Sequence, residues 1–261
     1  MKIVSLVENT TTNENLDCEH GLSLYIETDN HKILFDMGQS NLFAENAQKL
    51  RIDLTQVDIA VLSHGHYDHG GGLKKFLEIN AKASVYISKY AFGQYYNGTE
   101  KYIGLDMILK DSDRIIFTED KVELADGLTL YHCNDREKSY HLGSFGLNKK
   151  VEDNFIPDDF LHEQYLCIDE NGKRVLISGC SHKGILNIVE WLQPNVLVGG
   201  FHFSKLPLDE TLEKYAKILD GYDIEYYTCH CTGMQQYQFM KKHMKQLNYL
   251  ATGKSILSDK E

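Results

Sequence analysis

Proline is scarce in this chain of 261 residues, three in all. No Ser/Gly-rich stretch interrupts it either, so nothing reads as a linker, and a single domain over 1–261 is the expectation. Long apolar runs are missing as well. No segment approaches the ~20 uncharged apolar residues of a membrane span. The opening run Ile3–Val7 is cut by Glu8 and Asn9, too short for a secretory h-region, which predicts a cytoplasmic protein with no membrane partner. Basic residues are in deficit: 27 Lys and Arg face 38 Asp and Glu, a net charge of −11. Contact with nucleic acid or anionic lipid needs clustered Lys and Arg, so both partner classes are excluded. The densest basic stretch, Lys241-Lys242-His243-Met244-Lys245, reads as the wet face of a helix. The six cysteines (Cys18, Cys133, Cys167, Cys180, Cys229 and Cys231) lack any compact spacing, which argues for reduced thiols rather than a disulfide framework. A small molecule is the partner class that remains.

Hydrophobic content of 42% and charged content of 25% are those of an ordinary globular protein. In the first third, β-rich segments are predicted at 2–7, 22–28 and 32–36, then a helix over 41–50, an apolar strand over 57–62, a helix starting near Lys74 and a strand over 84–87. Residues 88–112 are aromatic and irregular, with Tyr90, Phe92, Tyr95, Tyr96 and Tyr102. Strands follow at 114–117, 121–124 and 128–131; from Cys133 to Phe160 no periodicity survives, and that stretch is a candidate lid. The last third alternates: strands at 164–168 and 174–178, a helix over 184–192, a strand at 196–198, a helix capped by Asp209, a strand at 224–228, a helix over 235–246 and a strand at 248–251. Both halves contain strand pairs followed by strand–helix units, which suits an α/β fold of two mixed sheets face to face with helices outside.

After the strand ending at Leu62 comes Ser63-His64-Gly65-His66-Tyr67-Asp68-His69-Gly70-Gly71-Gly72. On extended chain His64 and His66 project to one side and can share a metal, while Asp68 and His69, where the chain turns, can reach a second. This donor set suits Zn, Mn or Fe far better than Ca. The three glycines allow a tight turn and leave room for substrate. Three further clusters lie where strands end: Gly179-Cys180-Ser181-His182, Gly199-Gly200-Phe201-His202 and Thr228-Cys229-His230-Cys231. His182 is a ligand or a cap for the 184–192 helix, and His202 a candidate ligand. His230 is a ligand or part of a buried thiol pair, and Cys180 a substitute for a bridging carboxylate or a small buried hydrophobe. Among the other histidines His162 precedes a strand, and a surface position is expected for it.

The motif His64-x-His66-x-Asp68-His69 at the end of an apolar strand resembles the metallo-β-lactamase superfamily, along with Gly21-Leu22-Ser23-Leu24-Tyr25-Ile26, Ile33–Gly38 and Thr228–Gly233. The resemblance implies an αββα sandwich with a metal centre at one sheet edge. Ser178-Gly179-Cys180-Ser181-His182-Lys183-Gly184, Gly199-Gly200-Phe201-His202 and His230-Cys231-Thr232-Gly233 are similar to the branch that includes a methanopterin-pathway dihydropterin synthase and many metal-dependent hydrolases. The superfamily's usual Gly-His-Thr-Pro-Gly loop and Gly-Asp bridging ligand are absent, so Cys180, His182 and His202 are assigned on branch resemblance and position. A Gly-Glu-Ile-Pro-Arg-like segment associated with pterin handling is also absent between Leu128 and Phe160.

The implied site holds two divalent ions, Zn2+ with Mn2+, Fe2+ or Mg2+ as alternatives. His64, His66 and His182 would take one, Asp68, His69 and His202 the other. Hydrolysis of an ester or phosphoester by a metal-activated water is the leading expectation, with Asp68 relaying the proton. Displacement of a pterin diphosphate is the alternative, and a non-catalytic metal-binding protein the rival from another class. The 90–102 and 133–160 segments, with Arg136, Lys138, Lys149 and Lys150, are placed to cover a flat or phosphorylated substrate.

Overall fold

The structure, a computed structural model, describes residues 1–257, and the chain forms two compact units. The first comprises residues 1–119, 146–164 and the segment from 251 onward; the second comprises 120–145 and 165–250.

The first unit is built on a seven-stranded mixed sheet, in the order Ser255–Leu257, Lys2–Val7, Ser23–Glu27, Lys32–Phe35, Ile59–Leu62, Ser84–Ser88, Ile115–Thr118. Pairing is antiparallel as far as Lys32–Phe35 and parallel beyond it. Every residue of Ile59-Ala60-Val61-Leu62 is buried, as a continuous apolar run in an inner parallel strand requires. Helices Leu42–Lys49 and Leu73–Ile79 bury Phe43, Ala47, Leu73 and Phe76 against Leu6, Leu34, Leu62 and Val85. Each large apolar side chain buried this way contributes roughly 1.5–3 kcal/mol. The fixed strand end is what gives the following histidines a rigid base.

This unit also holds a four-stranded antiparallel sheet, ordered Asn154–Pro157, Leu147–Val151, Tyr95–Asn97, Lys101–Tyr102. It is assembled from the two stretches that show no sequence periodicity. Its strands run two to five residues and bury few side chains, so no alternation is written into them. Part of the supposed lid is therefore a hairpin over 147–157.

The second unit carries a seven-stranded mixed sheet, ordered Leu247–Tyr249, Glu225–Thr228, Val196–Gly199, Lys173–Ile177, Tyr165–Glu170, Leu128–Tyr131, Lys121–Ala125. Its first four strands are parallel, the rest antiparallel. Helix Ile185–Leu192 buries Ile185, Ile188, Val189 and Leu192, the face its spacing predicts. Asp209 caps Glu210–Asp220 by accepting the Thr211 N–H at 2.9 Å. The last helix is shorter than predicted, Met234–Met240, because the chain tightens after it into i→i−3 turns, with Lys242 N–H on Phe239 O and His243 N–H on Met240 O. The last predicted strand sits at Leu247–Tyr249, and Ser255–Leu257 adds a strand the sequence did not signal. The α/β class with mixed sheets holds. Among the described residues, none of the six cysteines is joined in a disulfide and no helix is long and apolar enough to cross a membrane.

Candidate metal centre

In the first unit the centre is built from the ends of two parallel strands. Lys32–Phe35 runs into Asp36, held at φ +59°, whose N–H donates to Val61 O on the neighbouring strand at 2.9 Å. Left-handed backbone at a non-glycine residue is strained, and Asp tolerates it better than most. The result is a buried carboxylate beside Ser63. Asp36 Oδ1 accepts the Ser63 N–H and Oδ2 the Ser63 hydroxyl, both at 2.7 Å, and Oδ2 lies 2.6 Å from His69 Nδ1. Ser63 Oγ lies 2.8 Å from His64 Nδ1. With its proton given to Asp36, that hydroxyl accepts from His64 Nδ1–H. Both imidazoles thus carry their proton on Nδ1 and their lone pair on Nε2, the tautomer a metal ligand needs. Asp36 was not among the predicted site residues.

His64, His66 and His69 gather tightly: the His64 ring centroid is 4.5 Å from that of His66 and 4.2 Å from that of His69. His66 remains extended, whereas Asp68 and His69 lie on the short helix Tyr67–Gly70, the predicted turn. Asp68 Oδ2 sits 3.8 Å from His69 Nε2 and 3.2 Å from His20 Nε2, so His20 joins the group although nothing in its sequence setting signals it. Burial above all, with His162 acting in the same sense against the pull of Asp68 and Asp158, holds the His66 imidazole down to about 3.

His162 does not take the surface position expected of it. It is fully buried, its Nδ1 accepts the Gly65 N–H at 2.9 Å, and its Nε2–H donates to Asp158 Oδ2 at 3.0 Å. Burial alone would raise the Asp158 carboxyl; hydrogen bonds from His162 and the Phe160 N–H, with the imidazoles beside it, outweigh burial and hold it below the usual carboxylate range. Asp158 and His162 therefore brace the loop between His64 and His66.

The glycines after the motif do not open space for a substrate. A Cβ on Gly71 would lie 2.3 Å from Gln39 O, and one on Gly72 would lie 2.3 Å from Met37 O. They let two backbones pass in contact.

In the second unit, parallel register places Ile177 opposite Val198 and Gly199 opposite Thr228, so the three predicted clusters leave the sheet along one edge. Ser181, His202 and His230 all adopt positive φ, at 58°, 55° and 49°. Such strain concentrates where structure over-determines a site. The His182 and His202 rings lie 4.3 Å apart. Potential ligand atoms of Cys180, His202 and Cys231 all lie within 4.8 Å of one another. A Cβ on Gly200 would meet Cys231 Sγ at 2.4 Å, so the glycine makes room for that sulfur. Burial alone would raise the Cys231 thiol; hydrogen bonding to Cys180 and His202, with the charges of His230 and His202, holds it well below its ordinary value. Lys183, also buried, donates to His132 O at 2.6 Å.

These donors fit transition-metal ions. Nδ1 of His202 is buried with no hydrogen-bond partner among the described residues, a costly state that a metal would relieve. A carboxylate-backed histidine pair and a neutral His66 are the protonation states that ligation demands.

The model of the metallo-beta-lactamase superfamily matches residues 16–222. An uncharacterized protein, MJ0448, of Methanocaldococcus jannaschii is 32% identical over 248 residues, 89% of this chain and 91% of its own. From the same organism, 7,8-dihydropterin-6-methyl-4-(beta-D-ribofuranosyl)-aminobenzene-5′-phosphate synthase is 28% identical over 286 residues, 98% of this chain and 96% of its own. Among solved structures, Tm1679, described as a metal-dependent hydrolase of the beta-lactamase superfamily, superposes with a TM-score of 0.86 at 30% identity, covering 100% of both chains.

Proposed function

Because this chain belongs to the metallo-beta-lactamase superfamily, a family of metal-dependent enzymes, we propose that it is a dinuclear hydrolase acting on an ester or phosphoester of a small molecule. The ligands are His64, His66, Asp68, His69, His182 and His202. The observation that carries this reading is the Asp36–Ser63 device, which sets His64 and His69 in the ligating tautomer before any metal arrives.

Two bound divalent ions, Zn2+ in the first instance, supply a water acidic enough to lose its proton near neutral pH and positive charge for a developing oxyanion. The chain's own residues do the rest. Asp68, with one oxygen 3.2 Å from His20 Nε2 at the half-exposed rim, takes the proton from the attacking water and passes it to His20. Asp36 keeps the His69 Nδ1–H and balances charge that builds on the imidazole. Asp158 and His162 hold the backbone at Gly65 so that His64 and His66 do not swing apart.

A transferase reading, in which the same cations hold a diphosphate leaving group while an external nucleophile attacks carbon, is favoured by one finding: the dihydropterin synthase relative aligns over 98% of this chain. Elemental analysis and product analysis separate the readings. Purified protein should carry about two metal atoms per chain, and His182→Ala, His202→Ala and Asp68→Asn should each lower that number while the fold survives. A metal-loaded wild type that releases alcohol from phosphomonoesters is a hydrolase. One that turns over only when a second nucleophile is supplied is a transferase. Metal content unchanged in all three variants would sink the ligand assignment.

A further inference from the structure

The first unit contains a cavity of about 320 Å³ whose chemistry runs against the rest of the chain. The protein carries −11 overall, yet Lys89, Lys110, Lys149 and Lys150 all line this cavity, against a single carboxylate, Asp159. Lys149 is taken up by Asp159 and Lys89 by Glu119. Among the described residues neither Lys110 nor Lys150 has an ion-pair partner; the Lys150 ammonium lies over the Phe155 ring at 5.8 Å instead. Two ammonium charges therefore remain uncompensated. Aromatic walls complete the cavity, formed by Tyr90, Phe92 and Tyr95. Tyr95 is fixed by its hydroxyl, which donates to Tyr90 O at 2.6 Å, and its other side packs on His162, ring centroids 4.0 Å apart. One aromatic ring thus separates the cavity from the group that braces His64 and His66.

We propose that this cavity binds the phosphate monoester end of an aromatic substrate, Lys110 and Lys150 receiving the phosphate dianion and Tyr90, Phe92 and Tyr95 the flat group. The charge matches, since a phosphate monoester carries close to two negative charges above pH 7, and the volume suits a small organic ligand. Lysines act here as point charges, so the site selects charge and size more than a fixed fork of oxygens. The proposal names a substrate class for the ester-hydrolase form of the reading given above, with the phosphate as a handle held away from the ligand histidines and the ester bond to be broken elsewhere in the substrate; the binding itself does not depend on the metals.

The test is calorimetric titration of the full-length, metal-containing protein with phenyl phosphate at pH 8, with inorganic phosphate and phenol as controls. The Lys110→Gln/Lys150→Gln double variant should weaken phenyl phosphate binding by at least about tenfold with metal content unchanged, and raising the salt concentration should weaken binding to the wild type. Phenyl phosphate should bind more tightly than either control. Equal affinity in wild type and double variant would overturn the proposal, because the ligand would then be held elsewhere, and so would absence of binding to the wild type. Lysine-dependent binding in a protein that carries no metal would sink the metalloenzyme reading and leave this site standing. Lysine-independent binding in a protein with two metals would do the reverse.

Discussion

Asp36 does its work through hydrogen bonds alone. Replaced by Asn, the side chain keeps an oxygen for the Ser63 N–H, but its amide group then faces the Ser63 hydroxyl and His69 Nδ1, where acceptors are needed. The imidazoles lose the contact that fixes their tautomer. Asn also tolerates φ +59°, so the backbone survives. Asp36→Asn should weaken metal affinity about 10–100-fold while the circular dichroism spectrum stays that of the wild type; chelator competition measures it, and unchanged affinity would refute the role. His66 gives a second prediction at this scale. An unfolded histidine takes up its proton near pH 6.5, whereas folded His66 resists protonation down to about 3. Between those values the unfolded chain binds more protons, so stability of the metal-free chain rises with pH and is lost as pH falls from about 6.5. Urea midpoints of chelated wild type should drop across pH 7 to 5 more steeply than those of His66→Gln; parallel slopes would dismiss the effect. The ligand motif was legible in the sequence because its donors lie within six positions, where spacing alone dictates geometry. Asp36, Asp158 and His162 were not, because the contacts that give them meaning join residues 33 and 97 positions apart.

Elements with a buried face were legible almost to their ends. Lys2–Val7, Leu128–Tyr131 and the apolar helix Ile185–Leu192 stand where alternation, turn residues or a 3.6-residue period place them. The four-stranded sheet was invisible because its strands are too short and too exposed for burial to impose a pattern. Glycine shows how a correct sequence signal can carry the wrong reason. In the run Gly70-Gly71-Gly72 the last two glycines mark a close approach to the backbone at Gln39 and Met37, and Gly70 one to the side chains of Leu105 and Leu62, rather than to a ligand. Since backbone cannot move aside as a side-chain tip does, Gly71→Ala should destabilise by about 1–3 kcal/mol. Gly143→Ala meets no atom within 4 Å and carries only the cost of its φ of +74°. Thermal melts of the two variants decide it: a Gly71→Ala protein as stable as Gly143→Ala would mean that the two backbones are not held in contact.

At the scale of the whole molecule the charge balance and the sites pull against each other. An acidic chain keeps polyanions away, while its histidines, carboxylates and thiols collect cations, and the cavity lined by Lys89, Lys110, Lys149 and Lys150 collects a small anion. Binding to the folded chain alone must then appear as stability, since a metal present at a hundred times its dissociation constant adds about 2.7 kcal/mol per site. With two sites that is about 5.4 kcal/mol, which for a chain of this size is a shift in Tm of about 10–20 °C. Chelator should therefore lower the melting temperature of the wild type by about that amount, and readdition of Zn2+ should restore it. In His64→Ala, which removes a ligand without touching either hydrophobic core, the metal-dependent part of the shift should shrink while the melting temperature in chelator stays close to that of chelated wild type. A chelator effect of equal size in His64→Ala and wild type would show that the stabilising ion binds away from this motif, and the centre built on Asp36 and Ser63 would have to be given up.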